Sequence, residues 1–302
     1  MLTMAKTPQQ IDEEIAKRWW RQHLTDQKVF SGNLNTYLKD AAKDAGNLVE
    51  NSMDDRTISA AVRRAQYAES RAALFQTSSE LWDKVDTRTL KGMEQASQRA
   101  ADMWGEVDRR LGALIDTSAA EKQFVAAADN AVENIRSRYI SQIDLSDSVY
   151  KHKVLTVGQV DRVVNNGLLL GKSSREIATD VRHLIRPDVR GGVSYAAQRL
   201  GRTELNNAFH ETTRRNAAAQ PWVEGMKWHL SGSHPRPDEC NRYAEQDSYR
   251  MGEGVYPSER VPTKPHPQCL CYISSITKKN DDFLDDLFGG KYDSFLAGEG
   301  SL

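Results

Sequence analysis

The first half of the chain carries apolar residues at helical spacing almost throughout. Thr7-Pro8-Gln9-Gln10 is a helix-start sequence, because Thr can cap the helix, Pro suits its first position and Gln at the third can bond back to the cap. Ile11, Ile15 and Trp19 follow close to the helical period. The same period returns in three later stretches: 57–76, 81–114 and 124–139.

These predicted helices are long and have charged outer faces. No proline occurs between Pro8 and Pro187, and an interior proline costs a helix about 3 kcal/mol. The apolar stripes are narrow and rich in alanine, which is typical of a solvated bundle or an antiparallel coiled coil. An alternative is an elongated arm that docks on other subunits. Trp19 and Trp20 favour docking, because adjacent helical residues do not face the same core.

A second segment begins near Thr156 and mixes helices with strands. Thr156 and Ser173 each open a capping box, and Gly171 ends the helix between them. Ser194 is expected to cap a further helix that runs to about Ala219. Beyond it the apolar period changes from the helical value to two, which predicts a strand over 226–230 and a returning strand over 272–276.

The predicted fold class is therefore mainly α. A long helical N-terminal arm or bundle over 1–153 precedes a small α+β domain over 154–278, which contains a zinc-knuckle-like loop. Residues 279–302 are acidic and contain glycine, and we expect a flexible tail there. Within it, Phe283, Leu284, Leu287 and Phe288 fit one short amphipathic turn.

Composition excludes several classes of protein. The chain has 302 residues, with 41 Lys and Arg against 42 Asp and Glu, so its net charge is −1. This balance argues against coating nucleic acid by bulk charge but leaves a local basic patch open. Mean hydropathy is −0.65, and no run approaches the roughly 18 apolar residues of a membrane span. The N-terminus lacks a stretch typical of a signal peptide, so we expect synthesis in the cytoplasm.

Candidate chemistry is concentrated in a proline-rich segment between the two predicted strands. Five residues there are possible metal ligands: His234, Cys240, His266, Cys269 and Cys271. Zinc takes four Cys or His ligands in a tetrahedron, and short spacings let one loop supply two of them. Since the protein would supply every ligand, the pattern favours structural zinc over catalytic zinc. Two alternatives remain: three reduced cysteines without an ion, or a disulfide from Cys240 to Cys269 or Cys271.

Four elements of the sequence, in their order along the chain, resemble phage minor head proteins of the Mu protein F-like (MuF) family. They are the helix segment Gly171–Ala178, a helix with the run Arg199–Glu211 around Arg202-Thr203-Glu204, the strand Lys227–Leu230 and the ending Pro265–Cys271. The resemblance covers about residues 155–276. One position departs from the family pattern, because Pro237 stands where the family has the first knuckle cysteine. His234 or Asp238 could replace that ligand.

The resemblance implies a structural virion protein of a tailed phage, associated with the portal vertex and active in head assembly and in genome packaging or delivery. Its expected partners are the portal protein, the major capsid protein or both, with local contact to packaged DNA and no membrane. Its expected location is the head interior or portal vertex, after assembly in the host cytoplasm. The helical N-terminal half would be the docking arm.

An enzyme remains the competing hypothesis. Arg202, Glu204 and His210 lie on one predicted helix near the metal loop, as in a metal-dependent nuclease or an ADP-ribosyltransferase-like enzyme. The structural alternative is that Arg202 and Glu204 hydrogen-bond the helix against the loop. His183 and His210 are expected on the helix surface. No spacing indicates a Ser/His protease pair, and helical stripes dominate where a protease would show strands.

Overall fold

The structure is a computed structural model that describes residues 7–53, 59–112, 145–187, 192–232, 234 and 237–296. The helix predicted over 124–139 lies outside these residues.

Two very long helices open the fold. Helix α1 spans Pro8–Asn51 and α2 spans Ala60–Gly112. The predicted capping box starts α1, since Thr7 Oγ1 accepts a hydrogen bond from the Gln10 amide at 3.3 Å and Gln10 Oε1 accepts one from the Thr7 amide at 2.9 Å. The stretches 57–76 and 81–114 were separate in the apolar pattern, and α2 joins them in one helix because no proline or glycine breaks the backbone between them.

Three further helices follow. They are α3 (Leu145–Leu169), α4 (Ser174–Ile185) and α5 (Val193–Ala219). Ser173 caps α4 as predicted, in a capping box with Glu176. Gly171 follows the end of α3 and has a φ of 71°, in the left-handed region that commonly ends a helix. Thr156, in contrast, lies inside α3 and caps nothing. Its hydroxyl donates to the His152 carbonyl at 2.8 Å and accepts from Trp82 Nε1 at 3.0 Å.

A small antiparallel sheet completes the α+β part. Strand β1 (Val223–His229) is central, between β2 (Val255–Tyr256) and β3 (Tyr272–Thr277). Between β1 and β2 lies the short helix α6 (Glu239–Glu245), and a 3-10 turn at Ser258–Arg260 follows β2. The two strands predicted from the period-two pattern are β1 and β3. The mainly helical fold class with a small sheet is therefore confirmed.

The described part of the acidic tail forms two short helices, α7 (Asn280–Phe288) and α8 (Asp293–Leu296). Aromatic side chains fix them, because Phe283, Tyr292 and Phe295 each meet the Trp222 ring edge to face at 5.1–5.9 Å. Phe288 is exposed, so only part of the predicted amphipathic turn is buried.

Contacts group the chain into two compact units. Unit 1 takes the described residues within 1–27, 92–137 and 202–302, and unit 2 takes those within 28–91 and 138–201. This grouping differs from boundaries at 153 and 278. In the ranges that the structure describes, no helix combines the length and apolar character that a membrane crossing requires.

Both tryptophans of the Trp19-Trp20 pair have partners inside unit 1. Trp20 is buried, with its ring 5.4 Å from Phe209 and 6.1 Å from Tyr272. Trp19 is half-buried, and its Nε1 donates to Glu106 Oε2 at 2.8 Å. Adjacent residues of a helix point about 100° apart, so Trp19 and Trp20 contact different partners within unit 1. The pair therefore gives no evidence of an exposed docking surface.

Candidate metal centre

Two short segments of unit 1 bring the cysteines together. Asp238 caps α6, with its Oδ1 accepting from the Cys240 amide at 2.7 Å, and this places Cys240 in the first turn of that helix. His266, Cys269 and Cys271 lie on the loop that leads into β3. Gln268 allows the loop to turn because it adopts a φ of 58°, in the left-handed region.

The three thiols form a buried cluster. Cys240, Cys269 and Cys271 are each at most 1% exposed, and their Sγ atoms lie within 4.8 Å of one another. Cys240 Sγ and Cys269 Sγ are 3.5 Å apart, far longer than the about 2.05 Å of a disulfide. Tetrahedral zinc with Zn–S bonds of about 2.3 Å holds its sulfurs about 3.8 Å apart. The thiol spacing therefore fits a tetrahedral metal site.

His266 offers a further ligand atom next to Cys240, in a second group of converging atoms that also contains Asp238. Its Nδ1 lies 3.1 Å from the Pro267 carbonyl oxygen, which can only accept, so Nδ1 carries the proton in that bond. The Nε2 lone pair is then available, and Nε2 lies 3.3 Å from Cys240 Sγ. A backbone carbonyl that fixes the tautomer in this way is typical of metal-binding histidines.

The remaining predicted ligand, His234, lies beside this cluster. Its Nε2 is 2.8 Å from Asn241 Oδ1 and 3.4 Å from Asp238 Oδ1, and it does not belong to either group of converging ligand atoms among the described residues. Asp238 does belong to one, with Cys240 and His266, and its Oδ2 lies 3.2 Å from His266 Nε2. Of the two proposed substitutes for the missing knuckle cysteine, Asp238 is the one that belongs to a group of converging ligand atoms with His266.

The metal-free cluster favours a single thiolate. The side-chain hydrogen bond from Cys271 lowers the pKa of Cys269 to about 5, with a further contribution from the Lys264 ammonium. Burial raises the pKa of Cys240 to about 12, and the hydrogen bond to Cys269 raises the pKa of Cys271. A bound divalent cation would stabilise the other two thiolates, because metal binding releases protons from its ligands.

Lys264 closes the loop that carries three of the candidate ligands. Its Nζ donates to the Cys269 carbonyl at 3.2 Å and also to the Cys271 carbonyl, and it lies 4.6 Å from the centre of the Trp20 ring. Burial lowers the pKa of Lys264, whereas the neighbouring cysteines raise it. Nothing in the sequence marked this lysine, since its partners are backbone carbonyls and an aromatic ring far away along the chain.

Helix α5 holds the loop through Thr203 and Asn206. Thr203 Oγ1 accepts from the Gln268 amide at 3.1 Å, and Asn206 Nδ2 donates to the Cys269 carbonyl at 3.0 Å. Asn206 Oδ1 in turn lies 3.0 Å from His23 Nε2 on α1. The sequence hypothesis places this anchoring on Arg202 and Glu204. The two bonds described here come from Thr203 and Asn206, which lie in the same run, Arg202–Asn206.

Asn206→Ala is expected to lower the free energy of unfolding by about 1–3 kcal/mol, because it removes two buried hydrogen bonds, one to the Cys269 carbonyl and one to His23 Nε2. Asn165→Ala is the matched control. It removes one bond to the carbonyl a helical turn away and should cost under about 1 kcal/mol. Urea denaturation of both variants measures the difference, and equal losses would contradict the anchoring role.

His210 and Glu204 are buried, so the expectation of a surface His210 is wrong. His210 is 3% exposed, its Nε2 donates to the Pro262 carbonyl at 2.8 Å, and its ring meets Trp228 edge to face. Burial raises the pKa of Glu204 to about 7 and lowers the pKa of His210 to about 3. His210 therefore joins α5 to the chain segment before the metal loop as a neutral side chain.

Neutral His210 predicts a defined pH dependence of stability. Its pKa is 6.5 in an unfolded chain and about 3 in the fold, so only the unfolded state gains the proton between these values. This contribution is complete above about pH 6.5 and is lost as the pH falls. His210→Gln keeps a donor for Pro262 without the titration. We expect the stability advantage of wild type over this variant to shrink by up to about 1.4 kcal/mol per pH unit below pH 6.

Urea denaturation at pH 7, 6 and 5 gives the measurement. The subtraction cancels groups common to both proteins, including Glu204, whose raised pKa acts in the opposite direction between 4.5 and about 7. A difference that stays constant with pH would show that His210 gains its proton as readily in the fold as in the unfolded chain.

Comparison with protein-family models, with curated proteins and with solved structures finds no match to this chain.

Proposed function

We propose that Cys240, Cys269, Cys271 and His266 bind one structural zinc ion. Three buried thiols and an available imidazole nitrogen form the Cys₃His set that zinc prefers in closed structural sites. A bound zinc would hold α6 to the loop before β3, a region with few apolar contacts of its own. Asp238 Oδ2 lies 3.2 Å from His266 Nε2, so this carboxylate is the alternative fourth ligand.

We further propose that the protein is a structural minor head protein of a tailed phage, associated with the portal vertex and acting in head assembly and in genome packaging or delivery. The supporting observation is spatial. Thr203 and Asn206, on the helix with the family-like Arg-Thr-Glu run, bond directly to the backbone of the His-Pro-x-Cys-x-Cys ending. Two of the four stretches of the resemblance, the Arg-Thr-Glu run and the Cys-containing ending, are thus in direct contact within unit 1.

Co-assembly tests this function. The full-length chain is expressed with the portal and major capsid proteins of its own phage, and heads are purified by sedimentation. Co-sedimentation at low, fixed copy number is expected, and omission of the portal should remove the chain from the heads. Absence from the heads under all conditions would overturn the proposal, whereas incorporation into heads that lack the portal would assign the partner to the shell.

The competing enzyme hypothesis has less support from the geometry. Its three residues do not share an open cleft, because Glu204 and His210 are buried and His210 Nε2 is bonded to a backbone carbonyl. Incubation of the protein with plasmid DNA and divalent metals is expected to leave the plasmid intact. Cleavage that Glu204→Ala abolishes would favour the enzyme instead.

A further inference from the structure

A basic groove lies within unit 2, away from the metal centre in sequence. Its volume is about 610 Å³, and four cationic side chains line it together with one amide: Lys39, Lys43, Arg182, Arg186 and Asn35. Ala42 and Pro187 complete the lining among the described residues, and no carboxylate belongs to it. This concentration of positive charge contrasts with a chain whose net charge is −1.

The cations come from two helices and form an ordered row. Asn35, Lys39 and Lys43 are spaced by four residues on α1, so they lie on one face of the helix along about 12 Å. Lys39, Lys43 and Arg186 are exposed. Asp40 and Asp44 are exposed on α1 as well. Each lies about 100° around the helix from the lysine before it, Asp40 is also three residues from Lys43, and neither carboxylate lines the groove.

Arg182 is held in place by its own partners. Its Nη2 donates to Asn47 Oδ1 at 3.0 Å and to Glu50 Oε2 at 2.9 Å. Gly46 makes room for it, because a Cβ there would lie 2.4 Å from Cγ and Nε of Arg182. Glu50 balances this one charge, so the positive character of the groove rests on the two exposed lysines.

The lining suits phosphate groups better than a protein surface. Protein interfaces are centred on apolar and aromatic side chains, and this groove has only Ala42 and Pro187 of apolar type. Phosphodiester backbones need cations and polar donors in a row, which Lys39, Lys43 and Asn35 supply. Duplex DNA presents a denser row of such charges than a single strand does, with one per about 1.7 Å of its axis.

We propose that this groove binds the phosphate backbone of duplex DNA without reading its sequence. The two exposed lysines contact successive phosphates, Asn35 adds a neutral donor, and Arg186 extends the row. The inference deepens the proposed function, in which packaged DNA is a local partner, and it places that contact on α1 and the end of α4.

Fluorescence anisotropy of the full-length protein with a short labelled duplex tests the groove. Lys39→Gln/Lys43→Gln is compared with Lys28→Gln/Lys84→Gln, which removes the same charge from two exposed lysines outside the groove. We expect the groove variant to bind about tenfold more weakly and to lower the salt slope by about 1.8 between 50 and 200 mM. The control variant should change binding less than twofold, and both should keep the thermal unfolding curve of wild type.

Three results would overturn the inference. Equal weakening by the two double variants would assign binding to diffuse charge. Tight binding of polyglutamate with the same lysine dependence would assign the groove to an acidic protein. Inorganic phosphate that binds in a lysine-dependent manner while the duplex does not would assign it to a free anion. Duplex binding and incorporation into heads are separate measurements, so the groove and the proposed function can fail independently.

Discussion

Protein with Cys269→Ser is expected to purify without stoichiometric zinc, whereas wild type is expected to carry one zinc per chain. Cys269 Sγ lies 3.5 Å from Cys240 Sγ and is buried, so a serine hydroxyl there replaces a thiolate ligand with a much weaker one. Structural zinc contributes about 10–16 kcal/mol to the folding of small zinc-finger peptides, so removing it should lower the stability of unit 1 by at least about 3 kcal/mol.

Elemental analysis and hydrogen exchange give two independent measurements of this effect. Exchange should rise in peptides that cover 238–242 and 264–271, which depend on the centre, and should stay unchanged in α4. A chelator should reproduce the pattern in wild type. Stoichiometric zinc in the Cys269→Ser protein, or equal exchange in wild type with and without chelator, would contradict the assignment.

The two histidines near the cluster provide a matched pair of variants. His266→Asn should lose the metal, because its Nε2 converges on Cys240 Sγ, while His234→Asn should keep it, because its Nε2 bonds to Asn241. The reverse result would restore His234 as a ligand. Zinc loss on Asp238→Asn with retention on His266→Asn would instead make the carboxylate the fourth ligand.

The sequence predicted elements whose determinants are local. The Thr7 and Ser173 capping boxes and the apolar alternation in β1 are all short-range signals, and each has the predicted structure. Thr156 shows the limit of such signals, because a capping sequence can equally occur in the middle of a helix. In the structure, the Thr156 hydroxyl bonds to the His152 carbonyl and to Trp82. Trp82 is a tertiary partner that the local pattern does not contain.

The sequence predicted which residue types form the candidate centre, but not which of the five candidate residues converge in it. Spacing brought five Cys and His residues into consideration, and only the fold separates His266 from His234. The supporting contacts were not predictable in the same way. Lys264 donates to backbone carbonyls, and Asn206 connects α5 to both the loop and α1. Bonds to the backbone do not require a particular residue type in the partner, so the sequence contains no sign of them.

Arg110→Met is expected to destabilise unit 1 by about 3–5 kcal/mol, which is the usual cost of removing one partner from a buried ion pair. Asp12 on α1 is fully buried, with its Oδ1 2.8 Å from Arg110 Nη2 on α2. Thr277 on β3 completes the network, donating to Asp12 Oδ2 at 2.6 Å and accepting from Arg110 at 2.9 Å. Without Arg110, the Asp12 carboxylate would stay buried with Thr277 as its hydrogen-bond partner and no balancing charge.

The double variant Asp12→Asn/Arg110→Met is the control that separates charge from packing. It should recover much of the loss, because the neutral amide removes the uncompensated charge. Urea denaturation of wild type, both single variants and the double variant gives the coupling energy, and additive losses would show that the pair acts only through packing.

The loss in Arg110→Met should also depend on pH in a definite direction. Burial already raises the pKa of Asp12 against the opposing effects of Thr277 and Arg110. Removing the guanidinium raises it further, so the folded state of the variant holds a proton that the unfolded state releases. Stability relative to the double variant should then increase as the pH falls from 7 toward 5 and fall again as the pH rises. Because the double variant has the same zinc ligands, acid release of the metal cancels in the comparison. A pH-independent difference would show that Asp12 stays ionised without its partner.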